Sequence, residues 1–138
     1  MLEIFDVDTP PYPSLILVKI VVAPSCKVEG RNIREQSKLM KLAKSIEKAG
    51  AFSIVLECIS KMTSKKITKL LKIPTIGIGS SNHCDGQILV TDDVLGLSGF
   101  YPKFVKKYAN LEKIILKAVK TFNYEVKSRK FPKNKNSF

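Results

Sequence analysis

Histidine is almost absent from this chain: His83 is the only one. Its neighbours Cys84 and Asp85 hint at a metal, but a structural zinc site needs a second pair of ligands at matching spacing. The three cysteines, Cys26, Cys58 and Cys84, do not supply that pair, and an odd number without framework spacing also excludes a disulfide scaffold. They read as reduced thiols of a cytosolic protein. Nor is there a long apolar run: the longest, residues 15–23, is interrupted by Lys19 and falls far short of the roughly 18 residues of a membrane span. A secretory leader would have a basic start, whereas Glu3, Asp6 and Asp8 stand here. A soluble, cytoplasmic protein is expected, with no membrane partner.

Acidic residues are also scarce, 12 against 24 lysines and arginines, leaving a formal charge of +12. Nucleic-acid binding would call for a basic stripe with interleaved aromatics or a reading motif. The lysines instead spread along the chain, as on a solvated surface, so no nucleic-acid partner is expected. A length of 138 residues with 44% hydrophobic content suffices for one core.

Elements alternate along that length. Residues 1–14 hold Pro10, Pro11 and Pro13 and read as an irregular lead, followed by a candidate strand at 15–23 that stops at Pro24. Whether this strand joins a sheet is not legible. Residues 31–49 read as a helix, with Leu39, Leu42, Ala43 and Ile46 on one face, Asn32 and Glu35 as a capping pair and Gly50 as the stop. Residues 52–59 form a continuous apolar run, the mark of a parallel strand covered on both faces.

A second helix is expected over 61–72, capped by Ser60, with Ile67, Leu70 and Leu71 inward. Short strands follow at 75–79 and 87–90, then a short helix around Phe104 to Tyr108 and a longer one over 111–126 with Leu111, Ile114, Ile115, Ala118, Phe122 and Val126 on one face. Residues 127–138, with five basic and no acidic side chains, read as a loose tail. The class is α/β by alternation.

Chemistry in parallel α/β proteins gathers at the carboxyl ends of strands. Three features are expected on that rim: Glu57, the segment 77–87, and the pair Asp92 and Asp93. Glu57 interrupts an apolar run, and an unpaired buried charge is costly. It is therefore either a base of raised proton affinity or a structural partner of one of the many lysines. Gly77, Gly79 and Ser80 are candidates for the substrate rim, as a phosphate-cradling turn or as plain backbone clearance. Asp92 and Asp93 suit a hard cation or the capping of a turn.

Read together, these segments resemble one family. Val55-Leu56-Glu57-Cys58, Ile73-Pro74-Thr75-Ile76-Gly77-Ile78-Gly79, His83-Cys84-Asp85-Gly86-Gln87-Ile88-Leu89-Val90, Asp93-Val94-Leu95-Gly96-Leu97 and Pro102-Lys103-Phe104-Val105-Lys106 look like the C-terminal half of the ketopantoate hydroxymethyltransferases. Lys27-Val28-Glu29-Gly30 and Asn136-Ser137-Phe138 fit the same pattern, so the likeness covers about residues 25–138.

The resemblance implies half of a (β/α)8 barrel with C-terminal helices: an unassigned lead over 1–24, a partial barrel over 25–126 and a basic tail over 127–138. It implies transfer of a hydroxymethyl group from 5,10-methylenetetrahydrofolate to 3-methyl-2-oxobutanoate, giving 2-dehydropantoate for pantothenate and coenzyme A synthesis. Glu57 matches the family's proton acceptor, and Mg2+ chelates the oxoacid. The family's magnesium ligands and oxoacid-holding residues belong to its N-terminal half, so no metal ligand is assigned in this chain. Activity would then need a complementary half, and an open half barrel exposes a sheet edge that invites self-association. The alternative is a non-catalytic remnant that at most folds or oligomerises. Ser60 replaces a usual proline, Ser80-Ser81 an alanine-glycine pair and Cys26 a common tyrosine.

Overall fold

A computed structural model describes residues 28–138 and, before them, the backbone of two strands. Pro10, Pro11, Pro13, Pro24, Cys26 and Lys27 lie outside the described residues. Two compact units result, one of Met1–Leu89 with Pro102–Phe104, the other of Val90–Tyr101 with Val105–Phe138.

The first unit is a five-stranded sheet in sequence order: β1 (Leu2–Val7), β2 (Leu15–Ile20), β3 (Ser53–Glu57), β4 (Thr75–Ile78) and β5 (Gly86–Gln87). From β2 to β5 every pairing is parallel, and β1 runs antiparallel to β2. Residues 15–20 thus join the sheet, which sequence alone left open. The expected irregular lead is corrected: β1 pairs with β2 from Leu2↔Ile20 to Val7↔Leu15. The prolines that argued against a strand all follow Val7, so they never interrupt its ladder.

Two helices cross between the parallel strands, α1 (Ile33–Lys48) before β3 and α2 (Lys61–Leu70) after it. The N-terminus of α1 is capped as expected, Asn32 Oδ1 accepting from the Glu35 N–H at 2.8 Å. Glu35 in turn accepts from the N–H groups of Gly30 and Arg31. Beyond the last turn Gly50 adopts a positive φ of 97°, as a stop requires. Leu39, Ala43 and Ile46 of α1 and Ile67 of α2 are buried against Ile54, Leu56 and Ile59. Each such large side chain contributes about 2 kcal/mol by leaving water.

Glu47 ties the helices to the sheet, its carboxylate accepting from Lys44 Nζ and from the N–H groups of Lys72 and Ile73. The Lys44 ammonium, then the Lys72 N–H, hold its carboxyl below the ordinary range.

Several expectations need correction. Ser60 precedes α2 but makes no cap bond; its hydroxyl donates to the Gly30 carbonyl at 2.6 Å. Thr63 and Ser64 are the buried companions of Ile67, while Leu70 is 37% exposed. The strand expected over 87–90 is only Gly86–Gln87, and Ile88 and Val90 are exposed by 48% and 54%. The ladder runs out because β4 ends at Ile78; Ile88 N–H still reaches the Gly77 carbonyl, and Val90 already precedes a helix.

The second unit holds α3 (Thr91–Leu95) and α4 (Leu111–Lys127). No helix forms around Phe104 to Tyr108: the N–H groups of Tyr108 and Ala109 both donate to the Val94 carbonyl, which fixes a loop instead. Asn110 caps α4 through Lys113 N–H, and no residue of α4 is buried. Phe122 meets Phe131 edge to face at 5.5 Å, and Asn134–Asn136 form one 3-10 turn. Among the described residues no helix is long and apolar enough to cross a membrane.

Candidate active site

The apolar run that made β3 legible ends on Glu57, the last residue of the strand, in register with Ile78 of β4. Glu57 is half-buried, and its Oε2 is shielded from solvent. Next to it the backbone turns sharply. Cys58 is 3% exposed and adopts a φ of +52°, a left-handed conformation that a side-chain-bearing residue enters at a cost of about 1–2 kcal/mol.

Hydrogen bonds from both sides hold that turn. Cys58 N–H donates to the Ile78 carbonyl at 2.9 Å, and the Cys58 carbonyl accepts from Glu29 N–H at 3.1 Å. The Glu29 carbonyl accepts in turn from Ser60 N–H at 2.8 Å, closing an isolated parallel bridge between Glu29 and Ile59. Strain retained in this way is over-determined by its surroundings, a pattern that clusters at functional sites.

Segment 29–30 is therefore one wall of the rim. Gly30, at φ +75°, lies so close to Thr63 that a Cβ would stand 2.9 Å from it, and its carbonyl accepts from Ser60 Oγ and Thr63 Oγ1. Sequence reasoning gave Glu29 no chemical part. The bridge to Ile59 brings it to the end of β3, and its only signal in the sequence was its place within Lys27-Val28-Glu29-Gly30.

Gly79 and Ser80 form the opposite wall. Gly79 takes a φ of +60° with the Phe104 ring so near that a Cβ would lie 2.7 Å from it. The Ser80 hydroxyl turns inward, donating to the Ile59 carbonyl at 3.2 Å and sharing a hydrogen bond with Ser64 Oγ. Gly77 makes room for side chains of the chain itself: a Cβ there would stand 2.9 Å from the Gln87 amide and 3.2 Å from Cys84 Sγ.

The expectation of a single rim holds only in part. Asp85 lies at the other end of β4, where its Oδ2 accepts from Thr75 N–H at 2.8 Å and from Thr75 Oγ1 at 2.9 Å. Thr75 opens β4, three residues or about 10 Å before Ile78. The cause is the parallel pairing, because Asp85 immediately precedes β5 and so must sit where both strands begin. Asp92 and Asp93 belong to the second unit, in the first turn of α3, with Asp93 accepting from Ser98.

The Thr75 N–H, then its hydroxyl, hold the Asp85 carboxyl below its ordinary value. A depressed carboxylate stabilises the fold above its unfolded value and loses that contribution as the pH falls through the folded one. Stability should therefore drop as the pH goes below about 4. Asp85→Asn is expected to flatten that acid limb in circular-dichroism melts taken across pH 2–6, the range about that value; an unchanged limb would remove Asp85 from the account.

Comparison with known proteins fits the motif order. The family model described as ketopantoate hydroxymethyltransferase matches residues 19–134. The chain belongs to the ketopantoate hydroxymethyltransferase family. It is 48% identical over 116 residues to the 3-methyl-2-oxobutanoate hydroxymethyltransferase of Pelagibacter ubique, covering 84% of this chain and 45% of that protein. It is also 49% identical over 113 residues to the enzymes of that name from Carboxydothermus hydrogenoformans and Thermotoga maritima, covering 81% of this chain and 41% and 42% of theirs. The chain thus spans less than half the length of these relatives.

For this family the sequence resemblance implied Mg2+. Among the described residues no three side chains of His, Cys, Asp or Glu form a group that could hold a metal ion.

Proposed function

We propose that this chain carries the proton-accepting side of a 3-methyl-2-oxobutanoate hydroxymethyltransferase, with Glu57 as the base. Its carboxylate takes the proton from C3 of the oxoacid, the carbon next to the ketone. The resulting enolate carbon bonds to the methylene carbon of 5,10-methylenetetrahydrofolate as both C–N bonds of that carbon break. Water supplies the hydroxyl and one of the two protons taken up by the freed nitrogens, the C3 proton balances the other, and 2-dehydropantoate and tetrahydrofolate result. The observation that carries this reading is the position of Glu57: a shielded carboxylate at the carboxyl end of a buried parallel strand, followed at once by a clamped left-handed residue. A carboxylate held at a fixed place on the strand end suits abstraction of a proton next to a carbonyl.

The rest of the reading follows from membership in the family. The parallel sheet is part of a (β/α)8 barrel, with 25–126 its share of the barrel and 127–138 a basic tail. Mg2+ and the folate cosubstrate are supplied at a site completed outside the described residues, and the setting is cytoplasmic. Helix α4, with none of its residues buried, suits a further covering surface from a complementary N-terminal half or another copy. Gly77, Gly79 and Ser80 line the substrate rim through their backbone.

A second reading, a non-catalytic remnant that folds or oligomerises, draws on a different observation. The Ser80 hydroxyl and the space above Gly77 are both taken by the chain's own atoms. The two readings part on one assay: 2-dehydropantoate formation from the oxoacid, Mg2+ and 5,10-methylenetetrahydrofolate, by the chain alone and mixed with the N-terminal portion of a relative. Product in the mixture is expected. Its absence from both, with the chain folded, would favour the remnant.

A further inference from the structure

A groove of about 450 Å3 runs between α1 and α2, on the helical layer rather than at the strand ends. Met40 and Leu70 line it, with Ile33, 85% exposed, among the apolar lining residues. Lysines line it from both helices, Lys41 and Lys44 from α1 and Lys66 from α2. The two helices carry nine basic residues, five and four respectively, against two acidic ones.

Both acids are engaged by the fold. Glu35 accepts from backbone and side chain at the start of α1, and Glu47 takes Lys44 Nζ and the N–H of Lys72. Lys66 donates to the neutral Gln36 amide at 2.8 Å, and neither Lys41 nor Lys66 has an ion-pair partner among the described residues. Two positive charges therefore border an apolar recess without compensation.

We propose that this groove docks an acidic amphipathic helix of a protein partner. A recess between two helices is completed by a third, whose apolar side chains at i, i+3 or i+4 and i+7 fill it. α2, ten residues or about 15 Å long, accommodates about three such turns. Glutamates flanking the apolar stripe would meet Lys41 on one wall and Lys66 on the other. A second copy of this chain is the wrong occupant on charge, because a +12 molecule offers its own lysine-rich faces. Nucleic acid is disfavoured because no aromatic side chain lines the groove to stack a base.

The probe is a fluorescein-labelled synthetic helix of 14 residues, leucines on one face and glutamates beside them, titrated into the full chain and read by anisotropy. Saturable binding is expected, weakened at least tenfold by Lys41→Glu with Lys66→Glu and about tenfold by Ile33→Ser, an exposed position whose change leaves the core intact. The control Lys127→Glu with Lys130→Glu should leave affinity within twofold. Equal binding by a scrambled peptide of the same composition would overturn the proposal. So would an equal loss in the control, or binding to phosphatidylserine vesicles that survives Ile33→Ser while the peptide fails to bind.

Discussion

Glu57→Gln is expected to slow exchange of the C3 proton of 3-methyl-2-oxobutanoate by about a hundredfold to ten-thousandfold, the range that a positioned general base supplies. The measurement is loss of the C3 proton signal in deuterated buffer with Mg2+, using whichever assembly of this chain makes 2-dehydropantoate. Exchange isolates proton removal from the later carbon–carbon bond, so the folate donor is left out. Glutamine keeps the size and hydrogen-bonding reach of the side chain and deletes only the basic oxygen.

Glu57→Asp should fall between the two, because the carboxylate survives but is drawn back by one methylene. The competing account, a structural carboxylate partnered by a lysine, predicts the opposite split: exchange nearly unchanged in the Gln variant and a lower unfolding midpoint. Full exchange in Glu57→Gln would end the assignment. The clamp at Cys58 bears on the size of the effect, since a base held within narrow limits loses more when removed than a mobile one.

Much of this site was legible because burial writes itself into composition. The run from Ser53 to Glu57 reads as a buried parallel strand since both of its faces are covered, and α1 reads as a helix since Asn32, Glu35 and Gly50 mark both its ends. What escaped was determined by partners distant in sequence. The β1 strand depends on pairing with β2, not on its own propensity. Ser60 has the right identity for a cap, yet the Gly30 carbonyl, thirty residues earlier, takes its hydroxyl.

The same holds for the rim. The rule that chemistry gathers at strand ends put segment 77–87, Asp85 included, on one rim with Glu57, and only the register of β4 with β5 sets Asp85 at the opposite strand end. Glu29 shows the converse: unremarkable locally, it reaches the site through a single bridge to Ile59. The apolar face of α4 was visible at helical spacing, but spacing does not say what covers it.

Gly79→Ala should be the most damaging single methyl on this rim, lowering stability by about 2–4 kcal/mol in urea unfolding. Two terms add. At φ +60° any Cβ costs about 1–2 kcal/mol. The new methyl would also stand 2.7 Å from Cδ1 and 2.8 Å from Cγ of Phe104, inside contact distance of a ring that must then move. Gly50 separates these terms, because its φ is +97° and nothing lies within 4 Å of a Cβ there. Gly50→Ala should therefore cost only the conformational part, about 1–2 kcal/mol. Phe104→Leu in the Gly79→Ala background should recover part of the loss, a coupling that a double-mutant cycle reads directly. Additive losses in that cycle would show that the ring is not what Gly79 makes room for. Because Ser80 follows Gly79 and anchors to Ile59 and Ser64, displacement of this turn is transmitted to the end of β3, so the Ala variant should also slow C3 proton exchange under conditions where it remains folded.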